Sequence, residues 1–195
     1  GTWDREELDS AGTVPPNARL RVERDTAVVH RVAGFKRDQR EYIADWAGSG
    51  VRGRLVYWTD VTSAFLRLPR HVEVWLPPGY DDAGSARYPV LYMHDGQNLF
   101  EPDRAFIPGN HWRLAEAADE AIGGRNAEPM IIVGVDNAGA SRIDEYTPTH
   151  DPSKKAGGRA ADYARMLIEE LKPLIDSRYR TLADPDNTAV GGSSL

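Results

Sequence analysis

The sequence contains no cysteine. A thiol nucleophile, a cysteine-based zinc site and any disulfide are therefore excluded. It also lacks a basic run: Lys and Arg total 24 against 30 Asp and Glu, for a net charge of −6. An acidic chain without a basic stripe is poorly matched to nucleic acid or to an anionic membrane, so neither is expected as a partner. No apolar stretch approaches the roughly 18 residues of a membrane-spanning helix, and no targeting segment is recognisable. The lack of cysteine does not fix the compartment: a secreted or periplasmic location is slightly favoured, and the cytoplasm stays open. What is present is 41% hydrophobic residues over 195 positions. That suffices to bury the core of one domain, or of one domain and a piece of another.

Residues 1–35 read as short extended pieces broken by turns. Val14-Pro15-Pro16-Asn17 is a turn signal, followed by Leu20, Val22, Ala27-Val28-Val29 and Val32. These pieces are too few to close a β-sandwich by themselves. Residues 36–53 are polar and glycine-containing and read as a linker, with a short helical turn at 42–46. A second organisation spans 54–195. Leu55-Val56-Tyr57-Trp58 is a strand, 63–68 another extended piece, and His71-Val72-Glu73-Val74-Trp75-Leu76 alternates like a half-buried strand. Pro89-Val90-Leu91-Tyr92-Met93 and Met130-Ile131-Ile132-Val133-Gly134-Val135 are continuously apolar, as parallel strands covered on both faces are.

Between and after these strands lie two helical patterns. Trp112, Ala115, Ala118 or Asp119, and Ile122 mark the first, stopped by Gly123-Gly124. Tyr163, Met166, Leu167, Leu171, Leu174 and Ile175 mark the second, with Pro173 inside it as an expected kink. A long loop at 138–159 separates them, of a length usually functional or mobile. Strands alternating with helices predict an α/β fold, a mostly parallel sheet with helices on both faces.

Ligands of such sheets bind beyond the carboxyl ends of the strands. Three chemistry-bearing groups fall there: His94-Asp95-Gly96-Gln97-Asn98, Asp136-Asn137, and the terminal Thr188-Ala189-Val190-Gly191-Gly192-Ser193-Ser194-Leu195. The last supplies four-fifths of the G-x-S-x-G nucleophile elbow, a tight strand-to-helix turn that presents a serine above the sheet. In the frame Gly192-Ser193-Ser194-Leu195 the nucleophile is Ser194, and Ser193 is the competing frame. The plain alternative is a turn serine in a Gly-Ser cluster. Gly1 is not a natural start, and the motif stops one residue short of its closing glycine. The sequence is therefore expected to be an internal piece of a longer chain.

The other candidates divide by geometry. His94 and Asp95 are neighbours on a strand, so their side chains point to opposite faces and would not form one relay. They are expected to shape the loop that follows. Asp136 either lines a substrate pocket or caps its strand, and Arg142 and Glu145 are expected to hold the long loop by ion pairing. His30, His71, His111 and His150 lack metal-ligand spacing, so no metal and no cofactor are expected. His111 and His150 fall in loops near the predicted active face.

The segments Val74-Trp75-Leu76-Pro77-Pro78-Gly79-Tyr80-Asp81 and Tyr88-Pro89-Val90-Leu91-Tyr92-Met93-His94-Asp95-Gly96-Gln97-Asn98-Leu99-Phe100 carry a resemblance. So do Val133-Gly134-Val135-Asp136-Asn137, Arg142-Ile143-Asp144-Glu145-Tyr146-Thr147-Pro148 and Glu170-Leu171-Lys172-Pro173-Leu174-Ile175-Asp176. With the serine motif, they make residues 55–195 resemble the α/β-hydrolase family called the putative esterases. That family includes S-formylglutathione hydrolase, feruloyl and acetyl-xylan esterases, enterochelin esterase and the mycolyltransferases. Residues 1–35 similarly resemble the last strands of starch-binding-like, immunoglobulin-type modules, on Gly1-Thr2-Trp3-Asp4, Pro16-Asn17-Ala18-Arg19 and Val32-Ala33-Gly34-Phe35.

The resemblance implies the N-terminal part of an α/β-hydrolase fold and acyl transfer to water by a Ser-acid-His triad. Ser194 would be the nucleophile, and the backbone N–H groups of Leu195 and Gln97 the oxyanion donors. Gly96 would keep that backbone close to the substrate carbonyl. The triad acid and histidine are not in this chain. The implied partner is a small-molecule or carbohydrate ester such as a feruloyl ester, and an exposed sheet edge is expected to pair with a C-terminal segment or a second copy. The second reading is a non-catalytic binding protein on a hydrolase scaffold. The fragment alone is expected to be inactive.

Overall fold

The structure is a computed structural model that describes residues 50–81 and 84–194, together with the backbone of three short strands that precede them. It divides into two units, Gly1–Asp38 and Gln39–Leu195. In the first unit, β1 (Glu7–Leu8) pairs antiparallel with β2 (Gly34–Phe35). The rest of the β-module expected at 1–35 lies outside the described residues. Within the expected linker, Glu41–Ile43 forms β3. It pairs antiparallel with β4 (Arg54–Val61), setting Tyr42 opposite Tyr57. A strand thus takes residues 41–43 where a helical turn was expected. A segment this short has no decisive pattern of its own, and pairing with the neighbouring strand decides its form.

The second unit is built on one six-stranded sheet in the order β10-β6-β7-β5-β4-β3. Its remaining strands are β5 (Arg70–Leu76), β6 (Val90–His94), β7 (Ile131–Val135) and β10 (Thr188–Gly191). β10, β6 and β7 run parallel, while β7-β5, β5-β4 and β4-β3 are antiparallel. Parallel pairing therefore prevails only in the half that carries the serine strand. Residues 63–68 are not extended. The Ser63 Oγ accepts the N–H groups of Phe65 and Leu66 at 3.0 and 3.2 Å, which turns the chain before β5.

Side chains alternate across the strands and so feed two cores. Val56, Val72, Val74, Val90, Tyr92 and Val133 face one side, packed with Tyr163, Met166, Leu171 and Ile175. Leu55, Tyr57, Trp75, Met93 and Ile132 face the other, packed with Leu99, Phe100 and Ala115. Both faces being covered explains why the central strands are apolar without interruption. The second face is covered by α1 (Leu114–Gly123). The first is covered by α3 (Ala160–Arg165), a π-type segment at Met166–Leu171, and α4 (Lys172–Arg178). Pro173 falls in the first turn of α4, where its missing N–H costs least, and the wider π turn just before it takes up the mismatch.

The long segment at 138–159 is not structureless. It contains α2 (Arg142–Tyr146) and a small hairpin of β8 (His150–Asp151) and β9 (Ala156–Gly157). The Asp144 carboxylate accepts the Gly157 N–H at 2.6 Å, tying the hairpin to α2. The segment is anchored by a buried pair in which Arg70 donates to both carboxylate oxygens of Glu145. Arg70 and Glu145 are 3% and 2% exposed, and Arg70 also donates to the carbonyls of Leu68 and Pro69. Ion pairing does hold this loop, but it ties the loop to the start of β5. Removing one partner leaves the other charge buried without compensation. Glu145→Ala is accordingly expected to destabilise this unit by about 3–5 kcal/mol in urea unfolding; a loss under about 1 kcal/mol would show the pair to be no better than a surface bridge.

Candidate active site

Parallel alignment brings the carboxyl ends of β6, β7 and β10 to one end of the sheet. Gly191 is registered opposite Met93, and His94 opposite Val135. β10 leaves the sheet pressed against β6. A Cβ on Gly191 would stand 2.7 Å from the Met93 sulfur, and one on Gly192 would stand 2.9 Å from His94 Cδ2. Only glycine passes there without displacing a neighbour. Two residues later Ser194 has φ +59°, in the left-handed region that side-chain-bearing residues seldom occupy. Ser193 is not among the positive-φ residues. Of the two serines, it is Ser194 that takes the left-handed turn.

The loop after β6 also turns sharply. Asp95 has φ +57°, and Gly96–Asn98 form one 3₁₀ turn. The N–H groups of Asn98 and Leu99 donate to the carbonyls of Asp95 and Gly96 at 2.9 and 3.0 Å. Gly96 is buried, and a Cβ there would lie 2.8 Å from the backbone of Gly134 and Val135. Its smallness serves the packing of this loop on β7, a different reason from closeness to a substrate carbonyl. Gln97 lies on the rim, and its side-chain oxygen accepts the Asn137 N–H at 3.2 Å.

Asp136 and Asn137 part ways. Asp136 turns to Arg104, whose guanidinium donates to Asp136 Oδ2 at 2.8 Å and to Glu73 Oε1 at 2.7 Å while standing 5.0 Å from the Tyr57 ring centre. Burial, and then the charge of Asp136, push the Glu73 carboxyl well above its ordinary range despite Arg104. Asp136 lines neither of the two cavities beside the serines, so it has a structural setting in place of the pocket-lining one. Asn137 is the residue that faces the site, donating to Asp95 Oδ1 at 2.7 Å.

Arg142, the first residue of α2, reaches the same carboxylate. Its Nε and Nη2 donate to Asp95 Oδ1 and Oδ2 at 2.8 and 2.7 Å, and Nη2 also donates to the Ser194 carbonyl at 3.0 Å. Its guanidinium carbon stands 4.8 Å from the Tyr146 ring centre, a cation–π contact. Burial alone would raise the Asp95 pKa. The hydrogen bonds from Arg142 and Asn137, with the Arg142 charge, outweigh burial and hold the carboxyl below its ordinary value.

His94 faces the other way. Its Nδ1 is 3.0 Å from the Tyr163 hydroxyl, and its ring packs with Tyr146 and Tyr163 at centroid distances of 5.4 and 5.5 Å. The strand alternation that separates His94 from Asp95 is thus realised. A cavity of about 480 Å³ lies over His94, Tyr146, Tyr163 and Gly192, and a cleft of about 560 Å³ lies over Asp95, Gln97, Asn137 and Arg142. Ser193 lines both, and Ser194 lines the first. Phe106, Trp112 and Ile143, exposed by 82, 40 and 45%, give the cleft an apolar rim.

His71, His111 and His150 line neither cavity. His30 and Leu195, the latter expected as the first oxyanion donor, lie outside the described residues. Among the described residues no group of three or more His, Asp or Glu could hold a metal ion. The sequence reading underrated Arg142, Asn137, Tyr146 and Tyr163. The spacing of Arg142 and Tyr146 at i and i+4 was the available signal, since it stacks the two on one helix face.

The model of the family described as "Putative esterase" matches residues 63–195. The Endo-1,4-beta-xylanase/feruloyl esterase of Xylanibacter ruminicola is 27% identical over 151 residues, covering 73% of this chain and 18% of that protein. A solved ferulic acid esterase superposes with a TM-score of 0.53 at 23% identity, over 73% of this chain and 48% of that one; this likeness is one of fold. An IroE-like serine hydrolase from Shewanella oneidensis superposes with a TM-score of 0.51 at 26% identity, over 66% of this chain and 39% of that one. The chain spans less than half the length of each of these three.

The His94 pocket has a consequence for pH. Burial, its main influence, and the Arg142 charge lower the His94 pKa, and the Asp95 charge opposes them without prevailing. The fold therefore prefers the neutral ring. That contribution is complete above the unfolded value of about 6.5 and is lost as pH falls through the lower folded value. Thermal unfolding between about pH 7.5 and 5 should show the wild type losing Tm on acidification relative to His94→Gln; parallel curves would contradict the reading.

Proposed function

Because the chain belongs to the family described as "Putative esterase", we propose that it carries the nucleophile half of a carboxylic ester hydrolase working through an acyl-enzyme. The observation that supports this most is the Ser194 backbone. A serine with φ +59° closes Gly191-Gly192-Ser193-Ser194, whose glycines press against the Met93 and His94 side chains, at the end of a strand in the parallel part of the sheet. Strained backbone of this kind lifts a nucleophile clear of the strand that bears it.

In the proposed reaction the Ser194 Oγ attacks the ester carbonyl carbon, losing its proton to a histidine base. The carbonyl oxygen takes the negative charge and is held by the backbone N–H groups of Gln97 and Leu195. Donors fixed in advance of such a charge contribute roughly 3–4 kcal/mol each. The alcohol then leaves with the proton, and water attacks the acyl-serine to release the acid. His94 is already bonded to Tyr163. His94 is therefore not assigned as the base.

The cleft suggests the acyl group. Phe106, Trp112 and Ile143 offer an apolar, partly aromatic wall next to the polar Asn137 and Gln97. A flat aromatic acid such as a feruloyl group would stack on that wall with its ester end toward the serine. The relative named as a xylanase and feruloyl esterase is in keeping with a plant-wall ester.

With the full-length product of the gene, Ser194→Ala should reduce p-nitrophenyl acetate hydrolysis to background, a loss on the order of 10⁶-fold in kcat for a triad serine. Turnover that survives this change, or a wild type without turnover, sinks the reading; the latter outcome favours a binding protein on this scaffold. For the acyl group, Phe106→Ala with Trp112→Ala should raise KM for methyl ferulate by about tenfold while leaving p-nitrophenyl acetate nearly unaffected. Equal effects on both esters would remove the aromatic wall from the account.

A further inference from the structure

We propose that Arg142 is a positioning residue for acyl transfer, a single guanidinium that fixes the peptide plane after the nucleophile and the facing oxyanion loop as one unit. This rests on the esterase reading above. Arg142 touches no reacting atom in it; its effect passes through Ser194 and Asp95.

Three observations converge on the guanidinium. Its Nη2 donates to the Ser194 carbonyl at 3.0 Å, and the same nitrogen with Nε grips the Asp95 carboxylate at 2.7 and 2.8 Å. Asp95 is the left-handed residue that starts the Gly96–Asn98 turn, so the grip holds the backbone of that turn. Asn137 closes the circuit: its side chain donates to Asp95 Oδ1 and its N–H to Gln97 Oε1. Ser194 and Gln97 come from separate strand ends, and Arg142 is bonded both to the Ser194 carbonyl and to the acid that begins the Gln97 turn.

Peptide planarity gives the link its purpose. In a trans peptide the C=O and the following N–H point in opposite directions from one rigid plane. Holding the Ser194 carbonyl therefore restrains the peptide plane by which the chain leaves the proposed nucleophile. The pair is close to electrically neutral, because Asp95 balances Arg142, so the contribution is orientation more than field.

Arginine is suited to this role because its planar fork can hold a carboxylate through two nitrogens while one of them also meets a carbonyl. A lysine ammonium is a single point on a flexible stem. It can reach Asp95 or the Ser194 carbonyl but cannot fix both in one geometry. The guanidinium stands over the Tyr146 ring, and α2 holds Arg142 through the buried Glu145–Arg70 pair three residues on.

The test uses the full-length product of the gene, with p-nitrophenyl acetate kinetics, fluorophosphonate labelling of Ser194 and thermal unfolding. Arg142→Lys should fold, lower kcat by about 100-fold through misplaced donors, and leave KM within about twofold. Labelling should slow in step with kcat. Guanidinium chloride at about 20 mM, far below denaturing levels, should restore at least about tenfold of the kcat lost in Arg142→Ala. An Arg142→Lys protein with wild-type kcat, or one impaired through KM alone, overturns the proposal. If Arg142→Lys does not fold, Asp95→Asn carries the test. It keeps an acceptor but loosens the grip, and kcat should fall about tenfold; unchanged kcat overturns the proposal. A wild type that neither hydrolyses ester nor takes the label sinks the esterase reading itself, whereas an active wild type with an unimpaired Arg142→Lys sinks only this inference.

Discussion

The constraint on which the rest depends is the close parallel packing of β10 against β6. Main-chain pairing draws the two strands together until Gly191 meets Met93 and Gly192 meets His94 with no space for a Cβ. Two residues past Gly192 the chain turns, with Ser194 in the left-handed region. Because β7 lies on the other side of β6 in the same direction, its end delivers Asn137 to the same rim.

Around that backbone scaffold three arginines do much of the fastening. Arg70 ties α2 to the start of β5 through Glu145, Arg104 joins Glu73 to Asp136 beneath the loop, and Arg142 joins Asp95 to the Ser194 carbonyl. Each satisfies a carboxylate wholly or largely removed from water, where an unpaired charge would be costly. The arrangement separates labour along the strand. His94 and Tyr163 belong to an aromatic pocket on one side, while Asp95 and Asn137 belong to a polar cleft on the other. A single alternation of side chains at the end of β6 produces both environments.

Much of this was legible beforehand. Continuous apolar runs announced strands buried on both faces, and the two cores bear that out. The separation of His94 from Asp95 followed from strand period alone. The misreadings have a common cause. Residues 63–68 and Glu41–Ile43 are short and weakly patterned, so a side-chain cap in one case and a neighbouring strand in the other decided their form. Gly96 and Asp136 sit at strand ends, and for Asp136 local pattern left a pocket and a strand cap equally open. Their partners, β7 for Gly96 and Arg104 for Asp136, are supplied by chain folded back from elsewhere.

By itself the sequence determined the α/β class and the apolar strands buried on both faces, and it proposed a serine at a strand end. It could do so because hydrophobic period and glycine spacing are local properties of a chain. Only the tertiary structure decided that Ser194 takes the left-handed turn, that Asn137 and not Asp136 faces the cleft, and that Arg142 reaches the serine's carbonyl. Arg142 and Ser194 are 52 positions apart, as are many pairs that never meet. Their contact depends on β6, β7 and β10 ending side by side, and no local pattern encodes that distance.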